Sequence, residues 1–475
     1  METRSYVRLD AVGLAGGLRA GRLCGNAVLA AARRRMAEVD PGLQAICEHF
    51  DPPLRAEVAS SDQPAGPLTG ALAGVPMLIK DLHCAVAGRP TANGSGFPAA
   101  PAAQNSTVVD RYLHAGAVLL GRSHSPELGG TSGCESRHQR LSTRNPYAPG
   151  LSSGGSSGGA AVAVATGIVP IAHASDAGGS IIIPAALCGL VGLKPSHGLV
   201  PLGPERIEGA GGMAAQNALT RTAADAALAL AVAANRPDLA TPAPLAGRPR
   251  IGLVLQAADG GATCDAIAGR LAALAERLAA LGLDVAETRL PPITPELSEA
   301  ERRVRLASLA ATVAAMEQAA GLSALPGHFE PATWARIEAG RKVTGADVLA
   351  ARETILAYRD RVLACFATYD LLLSPALNAA APEPGTLSLM RPDHETGPRN
   401  RDYTCFARPW NLTGFPSLSL PLIRDPRNRP EGALFAAAPG SDALLLSLAA
   451  WAEASIGWQH DHLTTVYQSQ RKSSP

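Results

Sequence analysis

The chain has 475 residues, 47% of them apolar and 17% charged, a balance that excludes a disordered chain and leaves material for a large buried core. Its formal net charge is +1, so no long-range field draws it to nucleic acid or to an acidic membrane surface. The eight cysteines form no C-x-x-C pair and the eleven histidines show no metal-ligand spacing, so reduced thiols and no metal or cofactor are expected.

The N-terminal METRSYVRLD carries no apolar signal region, and a cytoplasmic location is expected. Residues 9–48 read as helical, with Leu14, Leu18, Leu23, Val28 and Leu29 on an apolar face and an end near Asp40 and Pro41. Within them, Arg33, Arg34 and Arg35 read as a solvated face. Residues 74–80 read as a strand, 106–115 as a helix and 118–120 as a short strand. A loop rich in Ser, Gly and Pro covers 142–160, and 158–166 follows as a helix of small residues able to pack very closely. A buried strand is predicted over 168–174, then a second glycine loop. The apolar stretches near 160–172 and 181–193 contain Pro170 or Pro184. Each is well short of the roughly 20 residues that a membrane helix needs.

Further on, 251–255 reads as a strand, and Ile267, Leu271, Leu274, Leu278 and Leu281 mark an amphipathic helix. Residues 283–288 alternate like a strand, 298–320 and 345–367 are helical, and 371–373 is a strand. Residues 379–400 lack periodicity and read as a surface loop, with a lid as one option. The alternation predicts an α/β fold, a large sheet with helices on both faces. His460 and His462 read as surface residues.

Arginine supplies almost all of the positive charge; lysine occurs only at 80, 194, 342 and 472. Lys342 and Lys472 have polar neighbours and read as surface residues, whereas Lys80 ends an apolar run. Arginine keeps its proton in a protein, while a desolvated lysine can lose it. Lys80 is therefore either a base or the ion-pair partner of the adjacent Asp81.

Two glycine-serine loops carry the remaining chemistry. The first, GGSSGG at 154–159, lacks the Gly-Lys ending of a phosphate loop. It matches G-x-S-x-G around Ser156, but no strand can form just before it, as a hydrolase elbow requires. The second, DAGGS at 176–180, places glycines before Ser180. It reads either as a nest of N–H donors for an oxyanion, with Ser180 placed to attack, or as a tight turn before a buried strand.

Together these segments resemble the amidase signature family. The resemblance rests on GVPMLIKD at 74–81, on GGSSGG at 154–159 with AAVA after it, and on DAGGS at 176–180 continuing to Pro184, Cys188 and Lys194. Lys80, Ser156 and Ser180 stand 76 and 24 residues apart, as in that family. Weaker similarity extends over most of the chain, including Asp370 to Pro375 and Pro409 to Gly414. The resemblance implies one domain over 1–475, with a signature core at about 70–200 and a large mixed sheet. It implies Lys80 as base, Ser156 as the bridging serine in a cis peptide, and Ser180 as the acylated nucleophile. It also implies an oxyanion hole made by the backbone N–H groups of Ala177, Gly178, Gly179 and Ser180. Lys194, within the matched region, reads as structural.

One departure matters. The family usually has arginine two places after the nucleophile, and here Ile182 stands within Ile181, Ile182 and Ile183. The expected substrate is a small-molecule amide, linear or cyclic, with an apolar acyl part; no nucleic acid or membrane partner is expected, and a homodimer is left open. The alternative is the amidase subunit of a glutamine-dependent tRNA amidotransferase, and a third is an inactive scaffold.

Overall fold

The computed structural model describes residues 1–55, 70–204 and 206–458; His460, His462 and Lys472 lie outside them. Eleven strands pair into one mixed sheet: β1 (Ile46–Leu54), β2 (Pro76–Lys80), β3 (Val118–Ser123), β4 (Ile171–Asp176), β5 (Val191–Lys194), β6 (Ala215–Thr220), β7 (Arg250–Leu253), β8 (Asp284–Glu287), β9 (Leu371–Pro375), β10 (Ser417–Leu420) and β11 (Ala433–Ala437). Their spatial order is β1-β3-β2-β4-β6-β5-β10-β11-β9-β7-β8. The neighbours of β2 and of β7 run parallel to them, and the other pairs are antiparallel.

Successive strand side chains face opposite sides of a sheet. Accordingly, β9 sends Leu371 and Leu373 into one apolar cluster and Leu372 into another, and β11 divides Phe435 from Leu434 in the same way. Helices Asp265–Ala280 and Asp442–Ser455 fill the first side through Leu271, Leu278, Leu445 and Leu448. Helices Pro295–Ala320 and Gly345–Leu363 fill the second through Leu297, Val304, Ile355 and Tyr358. The α/β sheet with helices on both faces is the architecture expected. Among the described residues, no helix is long and apolar enough to cross a membrane.

Several local expectations need correction. Residues 9–48 hold two helices, Ala11–Arg19 and Gly25–Leu43, separated by a turn in which Gly21 takes a φ of +65°. The second helix runs through Pro41 to Leu43, just past Asp40, whose carboxylate accepts from the N–H groups of Ala45 and Ile46 beyond its end. β1 follows at once despite Pro52 and Pro53, which an edge strand tolerates. Arg35 is not solvated: its side chain is buried and its Nε donates to the Thr166 carbonyl at 2.8 Å. The Ile181–Ile183 run is not a strand but opens helix Ile182–Cys188. Local β propensity yields there to capping, since the Asp176 carboxylate takes the Ile181 and Ile182 N–H groups. Within 379–400, residues from Asp393 onward form helix Asp393–Tyr403.

The strands that position the site are β2 and β4. They are parallel neighbours, so Lys80 and Asp176, their last residues, emerge on the same edge of the sheet. Helix Gly158–Ala165 is buried at every residue and lies against this pair of strands. Its small side chains permit the approach, and a Cβ on Gly159 would collide with the backbone of Ala45 and His124.

Gly159→Ala is therefore expected to cost about 1–3 kcal/mol, read as a lowered midpoint in thermal or urea unfolding. Gly269, exposed within helix Asp265–Ala280 with open space around it, is the control. Gly269→Ala is expected to add about 0.4–1 kcal/mol.

Candidate active site

Lys80 is fully buried at the end of β2, and its Nζ lies among four oxygens. These are Ser156 Oγ and Ser157 Oγ, both at 2.8 Å, and the carbonyl and Oγ of Ser175, both at 3.1 Å. Burial pushes the amine down to about 7, against the opposing pull of Asp176. Asp81 is not its partner: that carboxylate accepts from Gln139 Nε2 at 2.7 Å and from the Gly94 N–H at 3.3 Å. Among the described residues, no carboxylate forms an ion pair with Lys80.

Hydrogen-bond direction shows what the amine can do. The Ser175 carbonyl only accepts, and Ser157 Oγ donates to that same carbonyl at 3.2 Å. Ser157 Oγ is thus left to accept from Lys80. A neutral amine has two N–H bonds and one lone pair. With the N–H bonds directed at Ser157 Oγ and the Ser175 carbonyl, the lone pair is left for a hydroxyl, that of Ser156 at 2.8 Å or that of Ser175 at 3.1 Å.

Ser156 is held in a loop that only glycine permits. Gly154 adopts a φ of +74°, the Gly155–Ser156 peptide is cis, and a Cβ on Gly155 would collide with the Gly133 carbonyl. Ser156 is 1% exposed. Ser180, by contrast, is half-buried at the rim of the second loop, whose backbone meets the first where the Ser157 N–H donates to the Ser180 carbonyl at 3.3 Å. The two serine side chains do not hydrogen-bond to each other. Among the described residues, Ser156 Oγ has Lys80 alone as partner, and Ser180 Oγ has none.

Neighbouring histidines are poorly suited to replace the lysine. Burial pushes His124 and His173 down to about 3. His173 accepts from the Lys80 N–H at 3.4 Å through Nδ1 and meets Gln216 at 3.1 Å through Nε2, which is a structural role.

The second loop is organised by a residue to which the sequence reading gave no role. The Asp176 carboxylate accepts from four backbone N–H groups: Gly178 at 3.1 Å and Gly179 at 2.6 Å on Oδ1, Ile181 at 2.6 Å and Ile182 at 3.3 Å on Oδ2. Asn411 Nδ2 adds a fifth donor at 2.9 Å. The four N–H groups expected to form an oxyanion hole differ in their partners. Gly178 and Gly179 spend their N–H groups on Asp176, while those of Ala177 and Ser180 have no acceptor among the described residues. An aspartate two places before a pair of glycines is a turn signal that could have revealed this. Asn411 lies too far along the chain to give any local signal.

The Amidase family model matches residues 27–446. The chain belongs to the amidase family. It is 31% identical to the 6-aminohexanoate-cyclic-dimer hydrolase of Paenarthrobacter ureafaciens, covering 94% of this chain and 95% of that protein. It is 32% identical to the acylamidase of Rhodococcus erythropolis, covering 95% of this chain and 96% of that protein. The solved structure of a 6-aminohexanoate cyclic dimer hydrolase complexed with substrate matches with a TM-score of 0.84 at 28% identity, covering 95% of this chain and 98% of that one. The chain is thus an amidohydrolase, an enzyme of amide bonds. In this amidase the side chain of Ile182 is buried in the apolar cluster that also holds Phe406 and Ala407.

Asp176→Asn keeps one acceptor oxygen and turns an N–H₂ group toward backbone donors. It is expected to cost about 1–3 kcal/mol for each donor left unpaired, seen as a lower unfolding midpoint. Amide hydrolysis is expected to fall about 100-fold, measured as kcat on an anilide.

Proposed function

We propose that this amidase hydrolyses a small carboxylic amide through an acyl-enzyme on Ser180, with Ser156 relaying the proton and Lys80 as base. The observation that carries the reading is the 2.8 Å contact between the desolvated amine of Lys80 and Ser156 Oγ, while Ser180 alone of the three is partly exposed. A serine hydroxyl becomes a useful nucleophile only when a base takes its proton. A lysine near 7 is half neutral at neutral pH and can take it.

The steps balance without any further group. Ser180 Oγ attacks the amide carbonyl carbon; its proton passes to Ser156 Oγ, and the Ser156 proton passes to Lys80 Nζ. The oxyanion lies in the loop of Ala177, Gly178, Gly179 and Ser180, where the N–H groups of Ala177 and Ser180 are the donors not already held by Asp176. The relay then runs in reverse, protonating the departing nitrogen and leaving an ester on Ser180. Water, deprotonated by the same relay, releases the acid. Hydroxyls are rotors, and catalytic hydrogen bonds commonly tighten only around a substrate, so the missing Ser156–Ser180 bond is compatible with this route.

For the substrate, Ile182 stands where the resembled family usually has arginine, so no cation is offered there to a charged acyl group, which favours an uncharged, apolar one. The cyclic-dimer hydrolase relatives make linear or cyclic amides of this kind the first compounds to try. The purified chain is expected to act alone on such amides, which an obligate amidotransferase subunit would not do.

A sulfonyl fluoride is expected to label Ser180 alone in peptide mapping; an adduct on Ser156 instead would reassign the nucleophile. Lys80→Arg keeps the charge but cannot lose a proton, and kcat is expected to fall by about 100-fold or more. For the unaltered enzyme, only neutral Lys80 is active. The log of kcat/KM is therefore expected to rise with pH below about 7 and level off above it. A flat profile across that range would remove Lys80 as the titrating base.

A further inference from the structure

We infer that Arg305 is a positioning residue for the reaction: oriented by Glu301, it fixes the Ala177–Gly178 peptide of the nucleophile loop. This rests on the reading of Ser180 as nucleophile. Arg305 lies in helix Pro295–Ala320, more than a hundred residues from the loop in sequence. Its Nη2 donates to the Ala177 carbonyl, and its guanidinium lies 3.4 Å from where a Cβ on Gly178 would sit. Its Nε donates to Glu301 Oε1 at 2.7 Å, one helical turn earlier.

Glu301 is buried and fixed from its other side. Arg408, 2% exposed, donates through Nε to Glu301 Oε2, and through Nη2 to Ser298 Oγ at 3.0 Å. Ala407, the residue beside it, packs where a Cβ on Gly179 would be, at 2.8 Å. The chain segment that anchors the arginine–glutamate pair thus also presses on the loop.

A trans peptide points its C=O and N–H in opposite directions. Here Arg305 takes the Ala177 carbonyl and Asp176 takes the Gly178 N–H, so one peptide plane is gripped at both ends. A flip of that plane would turn the Ala177 carbonyl oxygen toward the Asp176 carboxylate and the Gly178 N–H toward Arg305, and would move the neighbouring Ala177 and Ser180 donors. A glycine at 178 offers no side chain to resist such a flip. The grip does, and it acts on the transition state more than on the bound substrate.

The test compares Arg305→Met and Arg305→Lys with the unaltered enzyme on a neutral anilide, and measures inhibition by a trifluoromethyl ketone. The adduct of that inhibitor carries the oxyanion. Arg305→Met is expected to lower kcat about 10–100-fold with KM changed less than about threefold. Ketone affinity is expected to fall in parallel with kcat/KM, and Arg305→Lys, which keeps a donor, to recover part of both. Unchanged kcat, or a loss wholly in KM, would overturn the inference. The folded fraction of each variant is read from near-UV circular dichroism; loss of folded enzyme alone would lower apparent kcat/KM and leave ketone affinity unchanged, so a parallel fall cannot come from it. Sulfonyl fluoride labelling separates the two failures. No label on Ser180 in the unaltered enzyme sinks the nucleophile reading, whereas normal labelling with parental turnover in Arg305→Met sinks the positioning role alone.

Discussion

A lysine amine withdrawn from water, with no carboxylate among the described residues paired to it, is the constraint around which this molecule is arranged. Desolvation disfavours the charged form, and Lys80 is held among hydroxyls and a carbonyl that suit a neutral amine equally well. Asp176 lies near enough to oppose the effect but spends its oxygens on backbone N–H groups. One carboxylate therefore serves the loop rather than the lysine. Two parallel strands bring the pair to the same edge, and glycines at 155 and 159 let the intervening loop and helix close over them.

Burial alone does not make a base. Lys194 is just as buried at the end of β5, and desolvation pushes it down to about 8. Its Nζ donates to the Pro195 carbonyl, and among the described residues no hydroxyl bonds to it. Such an amine has nothing from which to take a proton. The contrast between the two lysines shows that the serines around Lys80, more than its depressed pKa, give that site its chemical meaning.

Much of this was legible in the sequence. Strand and helix patterns along the second half of the chain predict elements that the structure contains, because their apolar periodicity is also their packing. Lys80, Ser156 and Ser180 emerged from residue type and from the order of three blocks. What stayed hidden depends on which partner each polar group finds, near or far along the chain. Three consecutive isoleucines suggest a strand, and only the carboxylate of Asp176, five residues before the first of them, turns them into a helix start. Arg35 looks like one of three surface arginines until the Thr166 carbonyl is brought to it. The spending of the Gly178 and Gly179 N–H groups could not be read from glycine content, since freedom to converge says nothing of which acceptor is reached first.

The two sides of the site are secured by different forces. Ser156 and Ser180 each sit immediately before a helix wholly buried in the core, Gly158–Ala165 and Ile182–Cys188. Across from them, residues 130–132 are tied by polar contacts: Arg336 to the Gly130 carbonyl at 2.7 Å, Thr131 to the Leu387 carbonyl at 2.7 Å, and the Ser132 N–H to Asn400 at 2.7 Å. Polar tethers can be exchanged for water one at a time, whereas buried helices move only with the whole core. The division separates two demands on an enzyme. Local opening is therefore expected first along residues 130–132, while Ser156 and Ser180 keep their registration with the helices they precede.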